Sequence, residues 1–270
     1  MTPAAPRTPP YALTIASSDA SGGAGIQADL KAMSAFGVYG GSVIVGVTAQ
    51  NTRGVTATEV LPLEIIDAQF TAVMQDLPVA AIKLGMLATR EVVTWATDVV
   101  AAAGCPVVVD PVMVATSGDQ LLADDAVEAY RELIAAATVI TPNADETVAL
   151  TGIAPTGANE RAAAAAQYLE WGTDAVLFKG GHVDVAGETV VDVLVTSGGE
   201  EHFTHPRIAE AMTHGSGCTL ASAITAGLAS GDGLRSAVAA ATDYVHRAVA
   251  APADLGANGS VNHLVTPPSE

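Results

Sequence analysis

Residues Ala12-Leu13-Thr14-Ile15-Ala16, followed by Ser17-Ser18-Asp19-Ala20-Ser21-Gly22-Gly23-Ala24-Gly25-Ile26-Gln27-Ala28-Asp29, read as an apolar strand that enters a glycine-rich turn and then a helix, which Gly37 ends. The unit recurs. Apolar, β-rich runs at residues 42–47, 81–84, 107–109, 138–140 and 175–178 are separated by segments with helical periodicity. Strands that are apolar throughout, set between helices, need cover on both faces, so the pattern predicts an α/β fold with a mostly parallel central sheet between two helical layers. In such sheets ligands bind beyond the carboxyl ends of the strands, which directs attention to the loops after these runs. No internal repeat or linker divides the chain. The expected organisation is a disordered, proline-rich tail at residues 1–10, one domain at 11–264 and a short tail at 265–270 around Pro267-Pro268.

Composition narrows the classes. Half of the 270 residues are hydrophobic, enough for a large core. Cys105 and Cys218 lie far apart and no secretory leader is evident, so a reducing cytoplasm is expected rather than a disulfide framework. No apolar run approaches the roughly 18 residues that suggest a membrane span. The formal charge of −18, from 29 acidic and 11 basic residues, would repel nucleic acid. The lysines are Lys31, Lys83 and Lys179. So acidic and lysine-poor a surface suggests a halophilic protein, where salt screens self-repulsion.

The most specific chemistry lies in Met212-Thr213-His214-Gly215-Ser216-Gly217-Cys218-Thr219-Leu220, a glycine-rich turn opening an apolar helix. The unpaired N–H groups and the dipole of a helix N-terminus attract an anion without a basic side chain. Cys218 in the first turn is either a packed small residue or, in that field, a thiol inclined to ionise and accept a proton. The turn after the first run fits G-x-G-x-x-A at Gly23, Gly25 and Ala28. A dinucleotide site also needs an acidic residue about 20 positions on, after the second strand. Val43-Ile44-Val45-Gly46-Val47 offers none, so the oxidoreductase reading loses its support.

Thr48-Ala49-Gln50-Asn51-Thr52 closes the second run, and the Gln50 amide either reads the edge of a heteroaromatic ring or caps loose backbone. Met86, in Lys83-Leu84-Gly85-Met86-Leu87, either packs on a ring or fills core. Asp110, in Val109-Asp110-Pro111, suits a hydrated magnesium ion or is an ordinary turn residue. In Thr141-Pro142-Asn143-Ala144-Asp145-Glu146, Asn143 and Glu146 either serve phosphate and magnesium or form a capping box. Lys179, at a strand end before Gly180-Gly181, is a candidate phosphate partner. His182 and His214 have no partner at a metal-ligand spacing and are read as structural.

Taken in order over nearly the whole chain, from Ala12 to Val261-Asn262-His263-Leu264, these motifs resemble the hydroxymethylpyrimidine/phosphomethylpyrimidine kinases of the ribokinase-like superfamily. The resemblance implies a ribokinase-like three-layer fold and two successive transfers from ATP. The first is onto 4-amino-5-hydroxymethyl-2-methylpyrimidine and the second onto its monophosphate. It further implies that Gln50, Asp29, Ala24, Thr48 and Met86 bind the pyrimidine. Gly215, Ser216 and Gly217 would form the anion hole, with Cys218 as candidate base. Asn143, Lys179 and Thr213 would serve ATP, and Asp110 and Glu146 magnesium, with potassium a further candidate cofactor and a homodimer the implied assembly. Pyridoxine or pyridoxal kinase and a non-catalytic pyrimidine sensor are the alternatives. Two positions depart from the family pattern: Ser17, where glycine is usual and a side chain would crowd the substrate edge, and Met212, which replaces a polar residue and is expected to be silent.

Overall fold

A computed structural model describes residues 8–113, 127–181, 187–209 and 211–268. The parts of the expected tails at residues 1–7 and 269–270, and His182, lie outside the described residues. The strands are β1 (Tyr11–Asp19), β2 (Tyr39–Asn51), β3 (Gly54–Val60), β4 (Val79–Leu84), β5 (Val107–Val109), β6 (Val139–Ile140), β7 (Ala175–Phe178), β8 (Thr189–Thr196) and β9 (Gly199–Pro206). They form one sheet in the order β3-β2-β1-β4-β5-β6-β7-β8-β9. From β2 to β7 neighbouring strands run parallel, whereas β3, β8 and β9 pair antiparallel at the two edges.

The helices are α1 (Gly25–Ala35), α2 (Leu63–Asp76), α3 (Arg90–Ala101), α4 (Tyr130–Ala135), α5 (Ala144–Thr151), α6 (Ala158–Trp171), α7 (Ser216–Ala229) and α8 (Leu234–Ala250). The expected three layers are present, because successive strand residues feed opposite cores. Leu13, Ile15, Ile82, Leu84, Val107, Val109, Ile140, Val176 and Phe178 pack with residues of α2 to α6. Val108, Val139, Ala175 and Leu177 point the other way and pack with α1, α7 and α8.

Each apolar run is a strand, but β2 is longer than residues 42–47, and Thr138 stands outside β6. The edge strands β3, β8 and β9 escaped the sequence reading. Strands β3 and β9 mix polar with apolar residues and are mostly exposed or half-buried, and Asp192 breaks the apolar run of β8, so none of the three shows the continuous apolarity that marks the centre. Among the described residues no helix is long and apolar enough to cross a membrane.

Candidate active site

A cavity of about 300 Å³ opens where the parallel strands end, as the topology requires. β1 delivers Ser17, Ser18 and Asp19, β2 delivers Thr48 and Gln50, and the loop after β4 delivers Met86. Asp110 follows β5, Asn143 and Glu146 follow β6, and Lys179 follows β7. The start of α7 closes the centre with Thr213 to Cys218. Of the residues expected from sequence, Ala24, Thr48, Gln50, Met86, Asp110, Asn143, Glu146, Lys179, Thr213, Gly215, Ser216, Gly217 and Cys218 all border this one cavity.

Asp29 does not border it, and its expected contact with substrate is corrected here. On the inner face of α1, fully buried, it accepts hydrogen bonds from Thr14 Oγ1 at 2.6 Å, Ser222 Oγ at 2.7 Å and Lys83 Nζ at 2.9 and 3.0 Å. A buried carboxylate must be satisfied in this way, and its partners leave none of it to face a ligand.

Gly215 caps α7 with φ of +82°, the left-handed region that glycine enters without strain. Even a methyl group there would collide with the carbonyl of Gly23 in the first glycine-rich turn, so the two turns are pressed together. Asp19 ties them. Its Oδ1 accepts from Ser21 N at 2.8 Å and its Oδ2 from Ala24 N at 2.8 Å, and Oδ2 also lies 3.3 Å from His214 Nε2. Burial pushes this carboxyl up, but hydrogen bonds from His214, Ser21 and Ala24 outweigh it and hold the group at about 2. His214 thus joins the two turns through Asp19, and it also borders the cavity.

The chain's last loop braces the same turn. Val261 N donates to the His214 carbonyl at 3.2 Å, and Met212 packs on Gly259. Thr219 Oγ1 donates to the Gly215 carbonyl at 2.8 Å and lies 2.9 Å from His263 Nε2. With the hydroxyl hydrogen committed to Gly215, His263 must be the donor and carry its proton on Nε2. Burial pushes the imidazole down to about 4, with help from Lys31 and His214, so it is neutral around pH 7.

Cys218 departs from expectation. The field of the helix start would favour a thiolate, yet burial pushes the thiol up to about 11; Lys83 pulls it down, and Asp29 and Asp110 push it further up. Its sulfur accepts a hydrogen bond from Gly25 N at the start of α1, so two helix N-termini meet at this atom. Around pH 7 the group is a thiol.

Beyond Cys218 lies a charged cluster. Lys179 Nζ donates to Asp110 Oδ1 at 2.9 Å and stands 3.5 Å from Glu146 Oε2; Thr141 Oγ1 donates to Asp110 Oδ1 at 3.0 Å. Asn143 and Glu146 form a full capping box on α5, as one reading of that motif expected, and both also border the cavity. Burial pushes Glu146 up to about 7, with Lys179 pulling down and Asp110 pushing up. Asp110 is also pushed up by burial, but Lys179 and Lys83 leave it below the usual carboxylate range. Among the described residues Asp110 Oδ2 and Glu146 Oε1 accept no side-chain or backbone hydrogen bond, so each carboxylate keeps an oxygen for a cation.

The far end of the cavity was not legible in the sequence. It is walled by Val190, Ile208, Val245 and Val249, with the rings of His205 and His246 stacked 4.9 Å apart. These residues come from β8, β9, the segment just after β9 and α8, and belong to no motif. Ser17 borders the cavity, with its Oγ donating to the Met86 carbonyl at 3.2 Å.

A parallel α/β sheet with an anion turn and a lysine-carboxylate cluster at its carboxyl edge defines a small-molecule kinase of the ribokinase-like class. A family model described as phosphomethylpyrimidine kinase matches residues 19–262. A hydroxymethylpyrimidine/phosphomethylpyrimidine kinase of Streptomyces coelicolor is 47% identical over 97% of each chain. Among solved structures, phosphomethylpyrimidine kinase from Clostridium difficile is 41% identical, with a TM-score of 0.78, over 88% of this chain and 99% of that one. Pyridoxal kinase from Bacillus subtilis, in an ADP complex, superposes with a TM-score of 0.87 at 32% identity, over 95% of this chain and 98% of that one. The chain belongs to the phosphomethylpyrimidine kinase family.

Proposed function

We propose that this chain transfers the γ-phosphoryl group of ATP to the 5-hydroxymethyl oxygen of 4-amino-5-hydroxymethyl-2-methylpyrimidine, and then phosphorylates the monophosphate to the diphosphate used in thiamine diphosphate biosynthesis. One observation carries the reading. A single cavity is bordered by the amide of Gln50 on β2, by the Lys179-Asp110-Glu146 cluster beyond β5 to β7, and by the Gly215-Ser216-Gly217-Cys218 turn, which touches both the first glycine-rich turn and that cluster.

In this reading Gln50 pairs with the ring edge, Thr48 and Ala24 border the ring, and Met86 packs on its face. Asn143, Lys179 and Thr213 hold the ATP phosphates, and the apolar end beside His205 and His246 takes the base. Asp110 and Glu146 fit magnesium, since each offers a hard, unengaged oxygen, and the ion would neutralise charge between the phosphates. The N–H groups of the α7 turn face the oxygens of the transferring group, where negative charge gathers. The acceptor O–H bond breaks as the new O–P bond forms and ADP departs. Because Cys218 is a thiol at neutral pH, it can take the acceptor proton only in the small fraction that has first given its own proton to water; otherwise the proton passes to water, and positioning dominates. We further assign residues 11–264 to one domain, the enzyme to the cytoplasm as a homodimer, and potassium to the candidate activators.

Pyridoxal phosphorylation is the second reading, favoured by the higher TM-score of the pyridoxal kinase structure. The test is ATP consumption with magnesium in concentrated KCl, with hydroxymethylpyrimidine, its monophosphate and pyridoxal as alternative acceptors. Turnover of both pyrimidines in preference to pyridoxal is expected. Preference for pyridoxal would replace the reading, and silence with all acceptors would leave a binding protein.

A further inference from the structure

Within β1 and β4, Thr14 and Lys83 are register neighbours that turn away from the core shared by Leu13, Ile15, Ile82 and Leu84. They face α1 and α7, which supply Asp29 and Ser222, so the fold places a buried polar cluster beneath the start of α7. Within it the charges are not symmetric. Asp29 spreads its charge over hydrogen bonds from Thr14, Ser222 and Lys83, whereas Lys83 gives two of its N–H groups to Asp29 alone. Lys83 borders the cavity and Asp29 does not. A side chain at Gly85 would begin 2.6 Å from Nζ, so the ammonium lies against bare backbone at the cavity wall. Ser222, which binds Asp29, lies one helical turn from Cys218 on the same face of α7, and Lys83 and Cys218 both border the cavity, so the ammonium and the thiol share one part of its wall.

We propose that Lys83 is a positioning residue for phosphoryl transfer: its ammonium, anchored by Asp29, holds positive potential at the Cys218 end of the cavity, where the acceptor hydroxyl loses its proton. The inference rests on the kinase reading above for its role in turnover, but not for its effect on the thiol. Lys83 neither gives nor takes a proton. The acceptor proton passes to water, or to the Cys218 sulfur once that thiol has lost its own proton to water, and the ammonium favours the anionic oxygen and the thiolate alike. The charged groups around the thiol are Lys83 on β4, Asp29 on α1 and Asp110 after β5, with Lys179 near them; Lys83 acts on the thiol more strongly than either carboxylate. Burial opposes the ammonium's charge, but Asp29, Cys218 and Asp110 keep it above the usual lysine range, so it is charged throughout the working pH range.

The test is the pH profile of Cys218 alkylation by iodoacetamide, read by mass spectrometry apart from Cys105, together with kcat and KM. Lys83→Met should raise the alkylation midpoint by at least one pH unit and slow alkylation at pH 8 at least tenfold. It should lower kcat at least tenfold, with KM for ATP and pyrimidine within threefold. Because Lys83→Met strands a buried carboxylate, the double variant Lys83→Met/Asp29→Leu is measured beside it. Its slowing should be smaller but at least threefold, since the stronger of two opposing charges is lost. Ser222→Ala, a small change that leaves both charges, lets Asp29 draw harder on Lys83 and should slow alkylation two- to threefold. An unchanged profile in a folded Lys83 variant overturns the proposal; if neither Lys83 variant folds, an unchanged rate in Ser222→Ala does so. A shifted profile in a protein whose parent phosphorylates no acceptor would overturn the kinase reading and leave the Lys83 field standing.

Discussion

Acid should loosen this protein through one histidine. His263 is buried, gives its Nε2 hydrogen to Thr219, and sits at about 4 where a free imidazole has 6.5. A histidine with a lowered folded value is protonated more readily when unfolded. Stability is therefore full above about 6.5 and falls as pH drops toward 4. Lowering the pH from 7 to 5 should remove about 2 kcal/mol through His263 alone, and the full shift amounts to about 3 kcal/mol. Glu146 works in the opposite direction, since its folded value is raised to about 7 and its protonation stabilises the fold as pH falls. The measurement must therefore isolate His263, by urea denaturation of the parent and His263→Gln at pH 7 and pH 5. The variant should be less stable by about 1 kcal/mol at pH 7 for the altered hydrogen bond, and the gap should close or reverse at pH 5. A gap that stays constant within about 0.5 kcal/mol, the usual error of additivity, would refute the assignment of a neutral, buried donor.

Cys218→Ala should lower kcat about a hundredfold with little change in KM, and the rise of kcat with pH above neutrality should disappear; unchanged turnover removes the thiol from proton transfer. Gln50→Leu should cost the pyrimidine acceptor about 1 to 3 kcal/mol in kcat/KM while leaving KM for ATP alone, and an equal loss with pyridoxal would show that the amide does not select the ring. For a chain with charge −18, raising KCl from low to multimolar should lift Tm by roughly 5–10 °C, as read by circular dichroism; indifference to salt would remove the halophilic reading.

What the sequence made legible follows from where burial is complete. Strands β1, β4, β5 and β7 lie between helical layers, so residues such as Val107, Val108 and Val109 are all apolar and stand out. Strand β9, at an edge, keeps Glu200 and His202 exposed and Glu201 and His205 half-buried, and looks like loop. The cavity's lining was legible where the backbone is the device, as at Gly215 to Cys218, because glycine and a helix start are written locally. It was misread at Asp29, whose partners come from β1, β4 and α7 and lie 15, 54 and 193 positions away. A signal was present all the same: Thr14 and Lys83 each interrupt an apolar run at the inward position, and two polar breaks on one face imply a buried partner between them. Nothing local marks His205 and His246 as neighbours.

The bracing of the α7 turn also fixes when, during synthesis, the protein becomes competent. Its cap is pinned to Asp19, 195 positions upstream, while its carbonyls and the Thr219 hydroxyl wait for Val261 and His263 in the final loop. A nascent chain still held short of that loop can lay β1 between β2 and β4, and so build the acceptor end of the cavity, but it has no finished cradle for the γ-phosphate. The α7 turn therefore gains these two braces later in synthesis than the strands of the acceptor end are made, and a chain cut before Val261 would lack both.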